Sequence, residues 1–203
     1  MSAAELMSMT DIQFAMDGRQ PGADGVPRDW PRRRWVLSCE QWLPRGIDEV
    51  FDFFADAGNL NELTPPSLNF RILTPSPIAM HEGTLIDYSI RLRGIPMRWR
   101  TRISTWEPGR RFVDEQLRGP YALWHHEHTF EARDGGTLVR DRVTYCPALA
   151  WAPGAGWVHR GFVQPELRRI FAYRREQMAR LFPPRRNEAG ATGQRPARAA
   201  AMT

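Results

Sequence analysis

From Gly83 to Tyr145 the sequence alternates apolar and polar residues with a period of two, broken only by short turn signals. Ile86, Tyr88, Ile90 and Leu92 alternate with Asp87, Ser89 and Arg91. After Arg93-Gly94, the residues Met97, Trp99, Thr101 and Ile103 alternate with Arg98, Arg100 and Arg102. Pro108-Gly109, Gly119-Pro120 and Asp134-Gly135-Gly136 then separate three further runs, 111–117, 122–131 and 137–145. Alternation sends successive side chains to opposite faces of a strand. Connections this short cannot cross over to a parallel neighbour. The segment is predicted as an antiparallel meander of five strands, and its apolar face needs something to pack against.

The flanking sequence supplies the partner. Residues 34–43 read as a strand, and Pro44 and Gly46 punctuate it. Ile47, Val50, Phe51 and Phe54 recur at helical spacing, 59–63 add a turn before Thr64-Pro65-Pro66, and 68–73 form another strand candidate. At the other end Pro165 suits the first turn of a helix. Leu167, Ile170, Phe171, Arg174, Met178 and Leu181 mark one stripe of it. A helix from Pro165 to Leu181 is about 25 Å long at 1.5 Å per residue, close to the roughly 30 Å of a nine-residue strand. The predicted class is α+β: a curved antiparallel sheet of six to seven strands wrapped around a long C-terminal helix, with two short helices after the first strand. One domain covers 34–182, preceded by a disordered extension at 1–33 and followed by a disordered Arg/Ala/Pro tail at 183–203.

A composition of 42% hydrophobic residues with 8 Trp and 10 Phe supports a real core. No apolar run approaches the roughly 18 residues of a membrane-spanning helix, and no basic start leads into an apolar block at the N-terminus. Two cysteines, Cys39 and Cys146, make no disulfide framework; they approach each other if the first and last strands pair. The expected compartment is a reducing cytoplasm. The net charge of +5 is carried entirely by arginine, and residues 183–203 alone hold four Arg against one Glu. On the meander's outer face Arg98, Arg100 and Arg102 would meet Glu115, then Glu127 and Glu131, then Arg140 and Arg142. Opposite charges on neighbouring strands stabilise a sheet, so this stripe is not read as a nucleic-acid surface.

Several strings carry a resemblance: V-F-D-F-F-A-D at 50–56, N-L-N-E-L-T-P-P at 59–66, G-I-P-M-R-W at 94–99, F-V-D-E-Q-L-R-G-P-Y at 112–121, W-H-H-E-H-T-F at 124–130 and R-I-F-A-Y-R at 169–174. In this order the chain resembles the START-like (SRPBCC, helix-grip) superfamily, which includes the birch-pollen-allergen-like proteins, over about 34–182. The resemblance implies a cavity between sheet and long helix for a lipid, polyketide or other apolar small molecule, and it implies no cofactor. Many such proteins carry ligands, whereas some catalyse cyclisation, dehydration or hydrolysis.

On a strand, Trp124, His126, His128 and Phe130 share one face. By the same parity Asp114 and Gln116 go with Phe112, the alternative being that Val113, Glu115 and Leu117 face in instead, and Asp141 and Tyr145 go with Val143. The expected ligand-binding set is Tyr88, Trp99, Asp114, Gln116, Trp124, His126, His128, Phe130, Tyr145 and Trp151. Three readings of the polar cluster stand side by side. In one, Asp–His and Tyr–Asp pairs fix strand register; in another, the polar groups orient a ligand. In the third, His126 or His128 is an acid–base catalyst oriented by Asp114 or Asp141. His-x-His places two nitrogens on one face, with Asp114 or Asp141 as a third ligand, yet the Cys clusters and helical His pairs of zinc motifs are lacking. No metal is expected. The loop at 147–157 reads as neither strand nor helix. It is expected either to pack over the core through Trp151 and Trp157, or to gate the cavity in transient contact with a membrane surface. His81 and His159 are expected at the surface, and Arg174 is expected to snorkel or to pair with Asp141. The overall reading is a binding protein for a hydrophobic or aromatic small molecule, with a cyclase, dehydratase or hydrolase on the same scaffold as the alternative.

Overall fold

The computed structural model describes residues 11–23 and 25–184. Its centre is an eight-stranded sheet, antiparallel at every pairing, with the order β1-β2-β8-β7-β6-β5-β4-β3. The strands are β1 (Gln13–Met16), β2 (Trp35–Leu43), β3 (Arg71–Ile72), β4 (Leu85–Leu92), β5 (Ile95–Glu107), β6 (Arg111–Arg118), β7 (Tyr121–Arg133) and β8 (Gly136–Pro147). The meander from β4 to β8 follows the alternating sequence. The first long strand then closes on the last, Leu37 opposite Val143. Register shifts between Arg100 and Thr101, between Ile103 and Thr105, and between Tyr121 and Leu123 are irregularities of the bulge type, which bends and twists a strand.

Between β2 and β3 lie α1 (Ile47–Ala55) and two short 3-10 turns, Ala57–Asn61 and Pro66–Leu68. After β8 comes an unbroken helical run: α2 (Ala155–Val158), a π-type turn (His159–Val163) and α3 (Gln164–Leu181). Leu167, Phe171, Arg174 and Met178 are the buried stripe of α3. Leu167 and Phe171 pack with Leu37, Val143 and Tyr145, and Met178 packs with Val50, Phe51, Phe54 and Phe130. The helix thus grips both ends of the sheet, as the α+β reading anticipates.

Three details differ from the sequence expectations. Residues 11–33 are not a disordered extension: β1 pairs with β2, and Ile12 and Val26 are buried. A four-residue strand is too short to register as periodicity, but the edge of β2 needs a partner. So does Arg34, whose side chain is fully buried. Its Nε donates to Asp17 Oδ2 at 2.8 Å, and its Nη1 and Nη2 donate to the carbonyls of Pro31 and Arg19. The remainder of the expected disordered ends, 1–10 and 185–203, lies outside the described residues. Helical structure starts at Ala155 rather than Pro165, with Gly156 and Gly161 inside it; a helical glycine costs only about 1 kcal/mol. Finally, Cys39 lies opposite Asp141 and not Cys146, and both cysteines are buried free thiols.

The outer face carries opposite charges on neighbouring strands; Arg102–Glu115 and Arg140–Glu131 are pairs within the stripe the sequence suggests, and Asp87, Arg111 and Glu40 add others. Arg100 meets Asp87 at 2.8 Å, Arg102 meets Glu115 at 2.9 Å, Arg111 meets Glu127 at 3.1 Å, and Arg140 bridges Glu131 and Glu40.

Candidate functional site

The inner face of β4 to β7, α3 and the α1 segment enclose a cavity of about 200 Å³. A single water needs only about 10–15 Å³, so the interior is hollow on the scale of an organic molecule. The wall is mostly apolar: Ile86, Ile90 and Ile103 from the sheet, Phe54 from α1, and Leu167, Ile170 and Phe171 from α3. Aromatic rings form one side. Tyr88 stacks on Trp99 with centroids 5.8 Å apart, and Trp124 meets Trp99 edge-on at 5.4 Å. Tyr121 packs beside both tryptophans. The buried Nε1 of Trp99 has no hydrogen-bond partner among the described residues. Such donors are rarely left unpaired.

The polar side of the wall is built by register. Asp114 on β6 lies opposite His126 on β7, and His128 on β7 lies opposite Asp141 on β8. His126 Nε2 is 3.0 Å from Asp141 Oδ1, and His128 Nε2 is 2.9 Å from Asp114 Oδ2. The other nitrogens are also close to carboxylates: His128 Nδ1 is 2.7 Å from Asp141 Oδ1, and His126 Nδ1 is 3.4 Å from Asp114 Oδ2. The two imidazoles are themselves 3.8 Å apart. Arg174 reaches in from α3, its Nε 3.3 Å from Asp141 Oδ2 in an ion pair without hydrogen-bond alignment. Its guanidinium also lies over the Phe54 ring at 5.1 Å.

Electrostatics separates these groups. Burial alone would raise the Asp141 pKa, but Arg174 and the two imidazoles outweigh it and hold the carboxyl well below its usual range. Asp114 is lowered in the same way: burial is overcome by the charge of His126 and the hydrogen bond from His128. Burial and the neighbouring His128 push His126 down, against the pull of Asp114 and Asp141. His128 moves the other way, because its bonds to Asp114 and Asp141 overcome burial. Two adjacent imidazoles with opposed shifts hold one proton more readily than two.

A family model described as polyketide cyclase/dehydrase and lipid transport matches residues 43–174. The chain belongs to this family. No curated protein matches the sequence. Among solved structures, protein CV1439 from Chromobacterium violaceum is 15% identical with a TM-score of 0.56, covering 73% of this chain and 97% of that one. Protein Ms6760 from Mycobacterium smegmatis is 17% identical with a TM-score of 0.54, covering 72% and 89% respectively. The ginseng major latex-like protein 151 from Panax ginseng is 9% identical with a TM-score of 0.52, covering 74% and 99%. At these identities the likeness establishes the helix-grip fold alone.

Within this polyketide cyclase and lipid transport member, the expected site residues divide. Tyr88, Trp99, Asp114, Trp124, His126 and His128 all line the cavity. Gln116, Phe130, Tyr145 and Trp151 do not. Gln116 turns to the β6–β7 turn, where its Nε2 donates to the Tyr121 carbonyl at 2.6 Å. Phe130 is packed among Phe51, Phe54 and Phe112 in the solid end of the core. Tyr145 is fully buried, with its hydroxyl 2.7 Å from His159 Nε2. His159 is therefore an interior residue stacked on Trp35, not a surface one. Trp151 and Trp157 are 79% and 76% exposed, so neither packs over the core. Asp141 stands behind the imidazoles rather than on the wall, paired with Arg174 as anticipated. Alternation alone misses Tyr121, Phe54 and Phe171 on the wall, although the amphipathic stripes of α1 and α3 carry the signal for the two phenylalanines.

Proposed function

We propose that this protein binds a hydrophobic or aromatic small molecule, as carrier or sensor, in the cavity between sheet and α3. One observation carries this reading: a hollow of about 200 Å³ with a mostly apolar wall, on which Asp114, His126, His128 and Arg174 form a buried polar cluster and Asp56, Asn59 and Glu166 add further polar groups. Small-molecule sites are built this way, with apolar surface for affinity and a few convergent polar groups for orientation. The unpartnered Trp99 Nε1 adds a donor suited to a guest with an acceptor atom. Family membership is consistent with lipid and polyketide ligands.

Access is proposed to run past the segment between β8 and α3. Leu149, Trp151, Trp157, Val158 and Phe162 are all more than half exposed, and no acidic residue occurs from Pro147 to Pro165. Arg160 sits over the Trp157 ring and Arg93 over the Phe162 ring, each 4.9 Å from the centroid. Large apolar residues interspersed with arginine suit the boundary of an anionic lipid surface. Among the described residues no helix is long and apolar enough to cross a membrane.

Native mass spectrometry of the full chain purified from its own host tests the central claim, with a co-purifying small molecule as the expected result. Fluorescence titration with 1-anilinonaphthalene-8-sulfonate supplies the second arm. Ile90→Trp fills the cavity and is expected to weaken probe binding at least tenfold while near-native circular dichroism persists. Equal binding by that variant would falsify the cavity as the site. Turnover of an identified guest that His126→Gln/His128→Gln abolishes would replace the carrier by the enzyme reading.

A further inference from the structure

We propose that Asp114, His126 and His128 bind one divalent transition-metal ion, zinc by preference, at the polar end of the cavity. The donor atoms of these three side chains all lie within 4.8 Å of one another. Asp114 Oδ2 is the hub, 2.9 Å from His128 Nε2 and 3.4 Å from His126 Nδ1. Ligand atoms bonded to one tetrahedral zinc at about 2.0–2.1 Å stand about 3.3 Å from each other. These two edges therefore need adjustments of only a few tenths of an ångström. Two imidazole nitrogens and a carboxylate oxygen are donors that zinc accepts readily.

The far edges of the rings separate this arrangement from ordinary His–Asp hydrogen bonding. His126 Nε2 and His128 Nδ1 lie 3.0 and 2.7 Å from Asp141 Oδ1, Arg174 Nε lies 3.3 Å from Asp141 Oδ2, and Arg174 Nη2 lies 3.4 Å from His128 Nδ1. An imidazole that ligates a metal characteristically donates its far N–H to a carboxylate, which fixes the tautomer. Here one carboxylate serves both rings. A hydrogen on His126 Nε2, and one on His128 Nδ1 once Arg174 Nη2 turns from that nitrogen toward Asp141, leave His126 Nδ1 and His128 Nε2 with lone pairs toward Asp114. The alternative occupant of that point is the proton on His128 Nε2, shared with Asp114. The ion replaces it, and that proton leaves to solvent. Two carboxylates against one guanidinium leave the neutral-ring cluster one negative charge in surplus, which favours a cation.

Asp114, His126 and His128 line the cavity and Asp141 does not. Three protein ligands therefore leave a coordination position open to the interior, the arrangement in which zinc keeps a water or a substrate oxygen. A guest carrying a hydroxyl, phenolate or carboxylate would take that position. The sequence argues against a metal because it lacks the Cys clusters and helical His pairs of zinc motifs, although it offers Asp114 or Asp141 beside His-x-His. The third ligand comes from the neighbouring strand, placed by register. The inference rests on this side-chain cluster and stands apart from the hydrophobic-guest reading.

The test is titration of the full-length, chelator-stripped protein with zinc chloride, followed calorimetrically and by the side-chain ¹H–¹⁵N resonances of its 5 histidines. The expected result is one zinc per chain, with the His126 and His128 resonances moving together and saturating at one equivalent while exposed His81 stays put. Asp114→Asn and His128→Gln are each expected to weaken binding by at least about 10–100-fold, since losing a ligand costs no less than disturbing a metal site's supporting shell. Because the resonance measurement uses the unaltered protein, it decides the matter even where a variant fails to fold. Absence of saturable binding, shifts confined to His81 and His125, or undiminished affinity in a folded Asp114→Asn would each overturn the proposal. Failure of the anilinonaphthalene probe to bind would leave it untouched.

Discussion

Arg174 illustrates how much of this interior depends on single side chains. It is the buried cation of α3, and Asp141 is its counter-charge. Removing one partner of a buried ion pair costs far more than the pair contributes, because the other charge is left without compensation. Arg174→Met is accordingly expected to lower stability by about 3 kcal/mol in urea denaturation. The double change Arg174→Met/Asp141→Leu should recover only part of that loss, because leucine cannot accept from His126 and His128. Gly136 is sensitive for a different reason. A Cβ there would lie 2.3 Å from the Leu43 carbonyl oxygen and 2.6 Å from the Trp42 ring, and neither backbone nor a buried indole can yield easily. Gly136→Ala is expected to cost about 1–3 kcal/mol, read as a shifted denaturation midpoint with an unchanged slope.

Among the elements, the helical run from Ala155 to Leu181 joins two different functions. Its first turns expose Trp157, Val158 and Phe162, whereas α3 buries its stripe against the sheet. Replacing Trp151 and Trp157 together by Ser should leave the melting temperature within about 2 °C, since exposed substitutions rarely change stability much. The same variant should lose at least tenfold in co-sedimentation with phosphatidylglycerol vesicles; retained binding would refute the lipid-surface assignment. The π-type turn between these parts places His159 between Trp35 and the Tyr145 hydroxyl. Burial, aided by Arg160, lowers its pKa to about 4. An imidazole that is harder to protonate folded than unfolded stabilises the protein fully above its unfolded pKa of about 6.5. That stability is lost as pH falls from about 6.5 toward 4, amounting to about 2 kcal/mol. Thermal melts across this window should show the decline, and His159→Gln should flatten it.

For the molecule as a whole, the segment around β1, with Asp17 and Arg19, is part of the fold. Asp17 would be raised by burial, but hydrogen bonds from Arg19 and Arg34 dominate and bring its pKa down to about 2. The resulting stability is present above the unfolded carboxyl pKa of about 4 and is lost as pH falls toward 2. Deleting residues 1–33 strips Arg34 of Asp17 and leaves β2 as an open edge. Such a truncation is expected to lose about 3 kcal/mol or more and to self-associate through the exposed strand. Chemical denaturation and size-exclusion chromatography report the two effects separately. A fully stable, monomeric truncation would show that the segment is dispensable.

Local pattern determined the elements that pair with their sequence neighbours. The meander from β4 to β8, the stripe of α3 and the inward face of Trp124, His126 and His128 all follow from side-chain periodicity, which is a property of the chain itself. So does the placing of Tyr88 and Trp99 on the same face. Strand parity could not say how far along the sheet the cavity extends, and Phe130 and Tyr145 share the inward face yet fall in its solid ends. The tertiary structure alone decided that boundary, because it depends on where α1 and α3 touch the sheet and where they stand off from it. Parity put Asp114 and Asp141 on the histidines' face, but the tertiary structure decided which of their atoms meet and alone brought β1 to the edge of β2. Those contacts join residues from different elements, and their geometry is set by register and helix placement rather than by local spacing.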